Sequence, residues 1–208
     1  MVNGMGPKIS EKKVDELLER IDYVGEGDTL ILTGSIPKSL PEDMYDTIMK
    51  RLAGRGIRFV VDAPGSLLLE ALPARPFLIK PNNHEVGRIF DARPETPEEC
   101  IPFAKELHER GAQNVIVSCG GHGALLYDEN GEVHTVPTAK IRLVNATGAG
   151  DSMVAGFVAK CQEGADYETA LRFASACGTA TAASKGIAKR ATIDRVYENL
   201  NKLIAEQK

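Results

Sequence analysis

TPEECIPFAKELHERGAQNVIVS, residues 96–118, decides the fold class of this sequence. Its first four residues, TPEE, have the pattern of a capping box with proline at the first helical position. They predict a helix that runs to about residue 110 and ends at Gly111. The apolar run NVIVS, residues 114–118, then predicts a buried strand. A helix that leads directly into a buried strand is typical of a parallel α/β sheet.

The same alternation extends over the rest of the chain. Short apolar runs predict further strands at residues 28–33, 57–61, 77–80 and 141–144. Helical patterns fall at residues 41–55, 65–72, 83–90, 149–163, 167–185 and 192–206. The tetrapeptide DENG, residues 128–131, separates segments 123–127 and 132–136 and is a hairpin signal. We therefore predict an α/β fold: a mostly parallel sheet with helices on both faces and an antiparallel hairpin toward one edge.

Composition and charge exclude several classes of protein. With 43% hydrophobic and 26% charged residues, the 208-residue chain is neither disordered, collagen-like nor a coiled coil. A net charge of −4 gives no electrostatic footprint for nucleic acid or an anionic membrane. The four cysteines contain no CxxC pair, and no apolar run reaches the ~18 residues that span a bilayer. Without a signal-peptide pattern either, the sequence predicts a cytoplasmic protein.

The strongest candidate site is NATGAGDS, residues 145–152, between a predicted strand and an apolar helix. The backbone N–H groups of Gly148, Ala149 and Gly150 fall at a helix N-terminus, which favours an anion. Asp151, in the first turn, can accept a proton from a substrate hydroxyl. An anion site beside a base suits phosphoryl transfer from a nucleotide to an alcohol. A glycine turn with Asp151 as a helix-dipole partner explains the same residues equally well at this point.

Two further motifs directly follow predicted strands. SCGGHG, residues 118–123, suits nucleotide phosphates or a base through its glycines, and a bend into the hairpin is the alternative. In KPNNHE, residues 80–85, Asn82 and Glu85 share one side of a helical turn and could hold a hydrated Mg²⁺. Lys80 could meet a nucleotide phosphate. A capping box of Asn82 with Glu85 is the alternative, and the two interpretations are compatible.

A fourth motif is weaker, and other site patterns are absent from the sequence. The hydroxyl and N–H groups of GSIP, residues 34–37, could touch a substrate, although a Gly-Ser turn accounts for them. The four histidines are dispersed, and none pairs with cysteine at zinc spacing. The sequence has neither GxxxxGK[ST] nor GxGxxG, which disfavours a P-loop kinase and a Rossmann dehydrogenase.

In order and in context, the four motifs together resemble those of the ribokinase-like sugar kinases of the phosphofructokinase B family. ATGAGDSMVAGF, residues 146–157, is similar to the C-terminal signature of that family. KPNNHE is similar to its Asn-x-x-Glu magnesium motif, SCGGHG to its nucleotide loop and GSIP to its Gly-Ser-Leu-Pro substrate loop. Lys-Pro-Asn and Gly-Ala-Gly-Asp-Ser-Met most resemble 1-phosphofructokinases and tagatose-6-phosphate kinases. The resemblance implies a three-layer α/β/α ribokinase-like fold, with residues 1–208 as a single nucleotide-binding domain.

The resemblance implies roles at the reacting centre. Asp151 would be the base that activates the sugar hydroxyl. Gly148, Ala149 and Gly150 would form the anion hole for the transferred phosphoryl group. Ser35 would lie near the sugar phosphate.

The resemblance also implies ATP and Mg²⁺ as cofactors. Asn82 and Glu85 would order Mg²⁺ through water, and Lys80 would approach an ATP phosphate. Asn145 stands where many sugar kinases of this fold carry an aspartate that is tied to a monovalent-cation loop, which leaves a requirement for K⁺ open. The nucleotide site would be lined by Ser118, Gly120, Gly123, Ser175 and Thr179.

At its start the chain departs from the family pattern. Family members begin with strands, a β lid and sugar-gripping residues, whereas MVNGMGPKIS resembles an internal segment, so we expect a C-terminal portion of the family fold. The leading hypothesis is an ATP-dependent kinase that converts fructose 1-phosphate to fructose 1,6-bisphosphate, with tagatose 6-phosphate as the rival acceptor. A nucleotide-binding fragment without kinase activity, or a poorly folded fragment, is the alternative. A homodimer is a candidate assembly, because the family often dimerises through the lid.

Overall fold

A computed structural model describes residues 8–206, in which strands and helices alternate along the chain. The strands are β1 (Thr29–Thr33), β2 (Arg58–Asp62), β3 (Leu78–Ile79), β4 (Asn114–Ser118), β5 (Ala124–Tyr127) and β6 (Val133–Val136). The α-helices are α1 (Glu11–Ile21), α2 (Met44–Arg51), α3 (Ser66–Ala71), α4 (Asn83–Phe90), α5 (Pro97–Glu109), α6 (Ala149–Gln162), α7 (Tyr167–Ala182) and α8 (Arg190–Glu206).

The six described strands form one sheet in the order β1-β2-β3-β4-β5-β6. β1 to β4 are parallel, and β4, β5 and β6 form an antiparallel meander. The predicted mostly parallel sheet with a hairpin toward one edge is therefore confirmed. Because β1 to β4 run in one direction, the loops that follow them meet at one edge of the sheet, where α/β proteins bind ligands.

The helices cover both faces of the sheet, which confirms the predicted three layers. Alternate strand residues separate the two cores, as the period of two in a strand requires. Val61, Val115 and Val117 pack with helices α1 to α5, whereas Val60 and Ile116 pack with helices α6 to α8. Among residues 8–206, none of the helices combines the length and apolar character needed to cross a bilayer.

Local signals place several elements correctly. The capping boxes at Asn82 and Thr96 are both formed, and α4 and β4 have the predicted bounds. The hairpin turn is closed by Asp128, whose Oδ1 accepts the backbone N–H groups of Asn130 and Glu132, each at 2.9 Å. Short polar side chains favour turns through this kind of local hydrogen bond.

The strand predicted at residues 141–144 is wrong. This segment has no regular structure, and Leu143 and Val144 are 66% and 50% exposed. The N–H groups of Val144 and Asn145 both donate to the carbonyl of Ala182 at the end of α7, at 2.9 and 3.1 Å. A carbonyl at the end of a helix has no partner within the helix. Here it accepts the two N–H groups that would otherwise have donated to a neighbouring strand.

Helices α6 and α7 approach each other closely at Gly156. A Cβ atom at this position would lie 2.7 Å from the Cys177 sulfur and 3.2 Å from the Ala174 Cα. The glycine therefore sets the distance between the two helices, which pack side by side against the sheet.

We predict that Gly156→Ala destabilises the protein by about 1–2 kcal/mol, because overpacking at Cys177 outweighs the gain in helix propensity. Urea unfolding followed by circular dichroism measures the change. The additional substitution Cys177→Ala removes the sulfur and should restore part of the loss.

Gly186→Ala is the matched control for this substitution. Among residues 8–206, no atom outside its chain neighbours lies within 4 Å of the added Cβ, and the backbone there is not left-handed. A stability of Gly156→Ala equal to that of this control would show that the helix contact tolerates a methyl group.

Candidate functional site

The N-terminus of α6 begins at a glycine in the left-handed backbone region. Gly148 is the N-cap residue with φ of 79°. A side chain there would meet the Cδ1 of Ile187 at 2.7 Å as well as the strained dihedral, so only glycine suits the turn. The N–H of Ala149 closes a turn on the carbonyl of Ala146 at 3.2 Å. Among the described residues, no backbone acceptor faces the N–H groups of Gly148 and Gly150, which leaves these two amides for an anion.

Asp151 lies in the first turn of α6 with its carboxylate exposed. Its Oδ1 accepts a hydrogen bond from the Oγ1 of Thr33, the last residue of β1, at 3.1 Å. Residues 118 positions apart are thereby joined at the edge of the sheet. Asp151 directly follows Gly150, so its carboxylate and the two available amides belong to the same turn of the chain.

Lys80 directly follows β3, and its side chain is buried. The Nζ lies 3.2 Å from the Oδ1 of Asp62, the last residue of β2. A Cβ on Gly150 would lie 3.1 Å from the same Nζ. The ammonium thus lies directly against the start of α6. Burial raises the pKa of the Asp62 carboxyl against the opposing effect of Lys80, and the negative charges of Asp151 and Glu85 raise it further.

Asn82 and Glu85 form the reciprocal capping box of α4. The Oδ1 of Asn82 accepts the N–H of Glu85, and the Oε2 of Glu85 accepts the N–H of Asn82, both at 2.9 Å. One carboxylate oxygen of Glu85 stays outside this box. Together with Asp62 and Asp151, whose charges act on one another, it offers the oxygen donors that Mg²⁺ prefers. Within residues 8–206 these three carboxylates do not bring their oxygens within 4.8 Å of one another, so they fit a Mg²⁺ ion that keeps its own water ligands.

A cavity of about 530 Å³ opens on the other side of the α6 N-terminus. Its polar wall comes from the loop after β4 and from α7, and its apolar wall includes Ile141, Leu143 and Met153. Mixed polar and apolar lining is typical of small-molecule sites. The candidate residues in its wall are Ser118, Gly120, Gly123, Ala149, Gly150, Ser175 and Thr179.

The predicted site residues therefore fall into two adjoining groups. One group lines the cavity, and the other lies at the ends of β1 to β3 and comprises Asp151, Lys80, Asn82 and Glu85. Gly150 belongs to both groups, because it lines the cavity and adjoins Lys80. Ser35 is exposed in the turn after β1, outside the cavity lining.

Asp62 and Thr33 are the site residues that the sequence analysis did not single out. Each is the last residue of a strand, and the two are paired in the register of β1 and β2. A polar residue at the carboxyl end of an apolar run was the available signal, since neighbouring parallel strands end at the same edge.

A second group of ligand-type side chains lies at the opposite edge of the sheet. In residues 8–206, Asp128, Glu132 and His134 are the group whose ligand atoms lie within 4.8 Å of one another. The Oδ2 of Asp128 is 2.9 Å from the Nε2 of His134, and its Oδ1 holds the hairpin turn. Both carboxylate oxygens are thus already used to hold the hairpin together.

Comparison with known proteins places this geometry in a family. The model of the pfkB family carbohydrate kinases matches residues 2–193. The 1-phosphofructokinase of Bacillus subtilis is 44% identical over 184 residues, which cover 88% of this chain and 60% of that protein. The D-tagatose-1-phosphate kinase of Bacillus licheniformis is 38% identical over 196 residues, or 94% of this chain and 64% of that protein. The chain thus spans about 60% of the length of the curated relatives it matches.

Comparison with solved structures agrees with the sequence comparison. Phosphofructokinase-2 of Escherichia coli, solved in complex with substrates and products, superposes with a TM-score of 0.89 at 27% identity. The match covers 96% of this chain and 66% of that structure. The ribokinase-like α/β fold that the motifs implied is therefore confirmed.

We predict that Lys80→Met destabilises the protein by roughly 3 kcal/mol at pH 7.5, because it leaves the Asp62 carboxylate without its counter-charge. A carboxyl whose pKa is raised in the folded state lowers stability when it is ionised, and this cost disappears as the pH falls through that pKa. The difference in urea midpoint from the wild type should therefore shrink as the pH is lowered from 7.5.

Lys105→Met is the control, because Lys105 is an exposed lysine that lies 3.7 Å from Glu109 on α5. It should change the urea midpoint little at either pH. A loss for Lys80→Met that is independent of pH would contradict the assignment of the cost to Asp62.

Proposed function

Because the chain belongs to the pfkB family of carbohydrate kinases, we propose that its site transfers the terminal phosphoryl group of ATP to a hydroxyl of a ketohexose phosphate. Fructose 1-phosphate is the proposed acceptor, and fructose 1,6-bisphosphate and ADP are the products. Similarity to the 1-phosphofructokinase of Bacillus subtilis supports this acceptor. The similar D-tagatose-1-phosphate kinase makes tagatose 1-phosphate the principal rival.

The observation that carries the proposal is the position of Asp151. Its carboxylate lies between the cavity wall at Gly150 and the ends of β1 to β3. A nucleotide in the cavity and an alcohol at the sheet edge would meet at this point. We assign Asp151 as the base that receives the proton of the attacking hydroxyl.

The proposed phosphoryl transfer forms one bond to the γ-phosphorus and breaks another. The sugar oxygen forms a bond to the γ-phosphorus while its proton passes to Asp151. The bond from that phosphorus to the oxygen it shares with the β-phosphate breaks, and ADP leaves. The N–H groups of Gly148 and Gly150 donate to the phosphoryl oxygens as charge moves onto them. The N–H of Ala149 belongs to the same anion hole and would exchange its bond to Ala146 for the ligand.

We place the nucleotide in the 530 Å³ cavity. Ser175 and Thr179 are buried in its wall on α7, and Ser118, Gly120 and Gly123 form the opposite wall. The apolar rim at Leu143 suits the flat face of a base. Lys80, fixed beside Gly150, would face the phosphates that enter the anion hole.

Asn82 and Glu85 are the proposed residues that hold a hydrated Mg²⁺, with ligand water between them and the ion. Mg²⁺, when bound, neutralises charge on the phosphate oxygens. Ser35, in the exposed turn that follows Thr33, is the proposed contact for the sugar phosphate.

Coupled ADP release by the purified chain tests the proposal. We expect turnover that needs ATP, Mg²⁺ and fructose 1-phosphate together. Parallel assays with tagatose 1-phosphate, tagatose 6-phosphate and fructose 6-phosphate identify the acceptor, and a sugar-free assay measures ATP hydrolysis. Each assay is run with K⁺ and with tetramethylammonium to test whether the activity requires K⁺. The requirement is open because Asn145 is uncharged and its Oδ1 already accepts the N–H of Thr147 at 3.0 Å.

Asp151→Asn should lower the turnover number by about 10²–10⁴-fold, because the base is lost, while ATP with Mg²⁺ should still raise the melting temperature. Asp43→Asn is the matched control: Asp43 is an exposed aspartate at the start of α2 that makes no side-chain cap hydrogen bond. Near-normal turnover of Asp151→Asn would overturn the assigned base.

Nucleotide binding without phosphoryl transfer is the second candidate function. The whole cavity wall comes from residues 118–182, whereas among the predicted residues only Ser35 and Asp151 represent the sugar side. ATP that raises the melting temperature, with no ADP released for any sugar phosphate, would favour this second function.

A further inference from the structure

Thr33 holds one oxygen of the proposed base. Its Oγ1 lies 3.1 Å from the Oδ1 of Asp151. An ionised carboxylate can only accept hydrogen bonds, so the hydroxyl donates. No other donor lies within hydrogen-bond distance of the Asp151 carboxylate among the described residues. Oδ1 is therefore held, and Oδ2 remains for a substrate hydroxyl.

Hydrogen bonds fix the backbone at Thr33 and at Gly34, the residue that follows it. The carbonyl of Thr33 accepts the hydroxyl of Tyr45 at 2.7 Å, and the next N–H, of Gly34, donates to the carbonyl of Asp62 at 2.9 Å. The hydroxyl of Tyr45 also reaches the carbonyl of Gly34 at 3.2 Å. A threonine has few χ1 rotamers, so a clamped backbone aims its hydroxyl in one direction.

The side chain of Thr33 lies on the face of the sheet that α6 covers. Leu30 and Leu32 pack on the opposite face, with helices α1 to α5, and alternation places Ile31 and Thr33 toward α6. Asp62, at the end of β2, is the charged group shown to interact with Asp151, and Lys80 and Glu85, from the end of β3 and from α4, also act on Asp62. The Asp62 carboxylate repels that of Asp151, while the hydroxyl of Thr33 on β1 supplies a neutral donor that holds it.

From these contacts we infer that Thr33 is a positioning residue, which orients the Asp151 carboxylate so that Oδ2 faces the substrate hydroxyl. The inference rests on the proposed function for its effect on turnover. The orientation of the Asp151 side chain itself does not depend on that function.

Thr33→Val is the first test, because valine has the shape of threonine without the hydroxyl. If the chain has sugar-phosphate-dependent turnover, this variant should lower the turnover number by about tenfold or more, since a misplaced reacting group loses effective molarity. The Michaelis constant for ATP should not change. Thr33→Ser restores the donor and should return the turnover number to within about twofold of the wild type.

Thr29→Val is the matched control. Thr29 lies on the same strand and the same face, and its hydroxyl is 3.5 Å from the amide of Gln162, away from Asp151. It should leave both kinetic constants unchanged. Turnover of Thr33→Val equal to that of this control, or a Thr33→Ser variant as slow as Thr33→Val, would overturn the inference.

A second readout needs no turnover. In ¹³C,¹⁵N-labelled protein, the three-bond couplings from the backbone to Cγ report the χ1 rotamers of Asp151, and Asp151→Asn assigns the signals. We expect single-rotamer couplings in the wild type and in Thr33→Ser, and averaged couplings in Thr33→Val, or in Thr33→Ala if the valine variant does not fold. Identical couplings in all of these proteins would refute the positioning role.

The two readouts separate two kinds of failure. An absence of sugar-phosphate-dependent turnover from every protein, the wild type included, would contradict the proposed function, and the couplings alone would then decide the role of Thr33. Normal turnover of the wild type together with an unchanged Thr33→Val would contradict only the role of Thr33.

Discussion

The candidate site depends on the ion pair between the buried ammonium of Lys80 and the carboxylate of Asp62. β3 contains only Leu78 and Ile79. Lys80 follows this strand, and its ammonium lies beside the Asp62 carboxylate and packs against Gly150. An ammonium removed from water is costly unless a counter-charge stays close, so the pair restrains both strand ends and the helix that lies over them. The start of α6 packs against this pair, and the hydrogen bond from Thr33 adds a second link between Asp151 and the sheet.

Helix α6 then links the two parts of the site. Its first turn carries the proposed base, Asp151, on the sheet side and forms part of the cavity wall on the other side. Farther along, Gly156 lets it lie close to α7, the helix that carries the buried cavity residues Ser175 and Thr179. Small residues thus perform two tasks on one helix. They let a ligand approach the backbone at one end, and they let a neighbouring helix approach farther along.

Contacts between residues close together in the sequence could be predicted from it, whereas contacts between distant residues could not. The capping boxes at Asn82 and Thr96 and the turn at Asp128 involve neighbouring residues, and their residue types alone predict them. The prediction of a strand at residues 141–144 failed because Ile141 and Leu143 line the cavity, and Leu143 and Val144 are exposed. This segment has the composition of a buried strand, and only the end of α7 that binds it distinguishes it from one.

The partners that complete the site came from long-range register. Thr33 meets Asp151, and Asp62 meets Lys80, only because parallel strands end at one edge and α6 crosses it. No spacing in the sequence encodes either contact. The motif GAGD therefore contains the proposed base, while the sheet supplies the groups that contact it.

The balance of charge at this edge bears on how a nucleotide can enter. The carboxylate of Asp62 faces the ammonium of Lys80, the charges of Asp151 and Glu85 act on Asp62, and burial together with this crowding raises the pKa of Asp62. A polyphosphate that approached alone would add negative charge to an edge that already carries these carboxylates. The amides of Gly148 and Gly150 offer only partial positive charge. A cation that arrives with the phosphates would offset this repulsion, so the carboxylates support the proposed use of Mg²⁺, as the chemistry of phosphoryl transfer does.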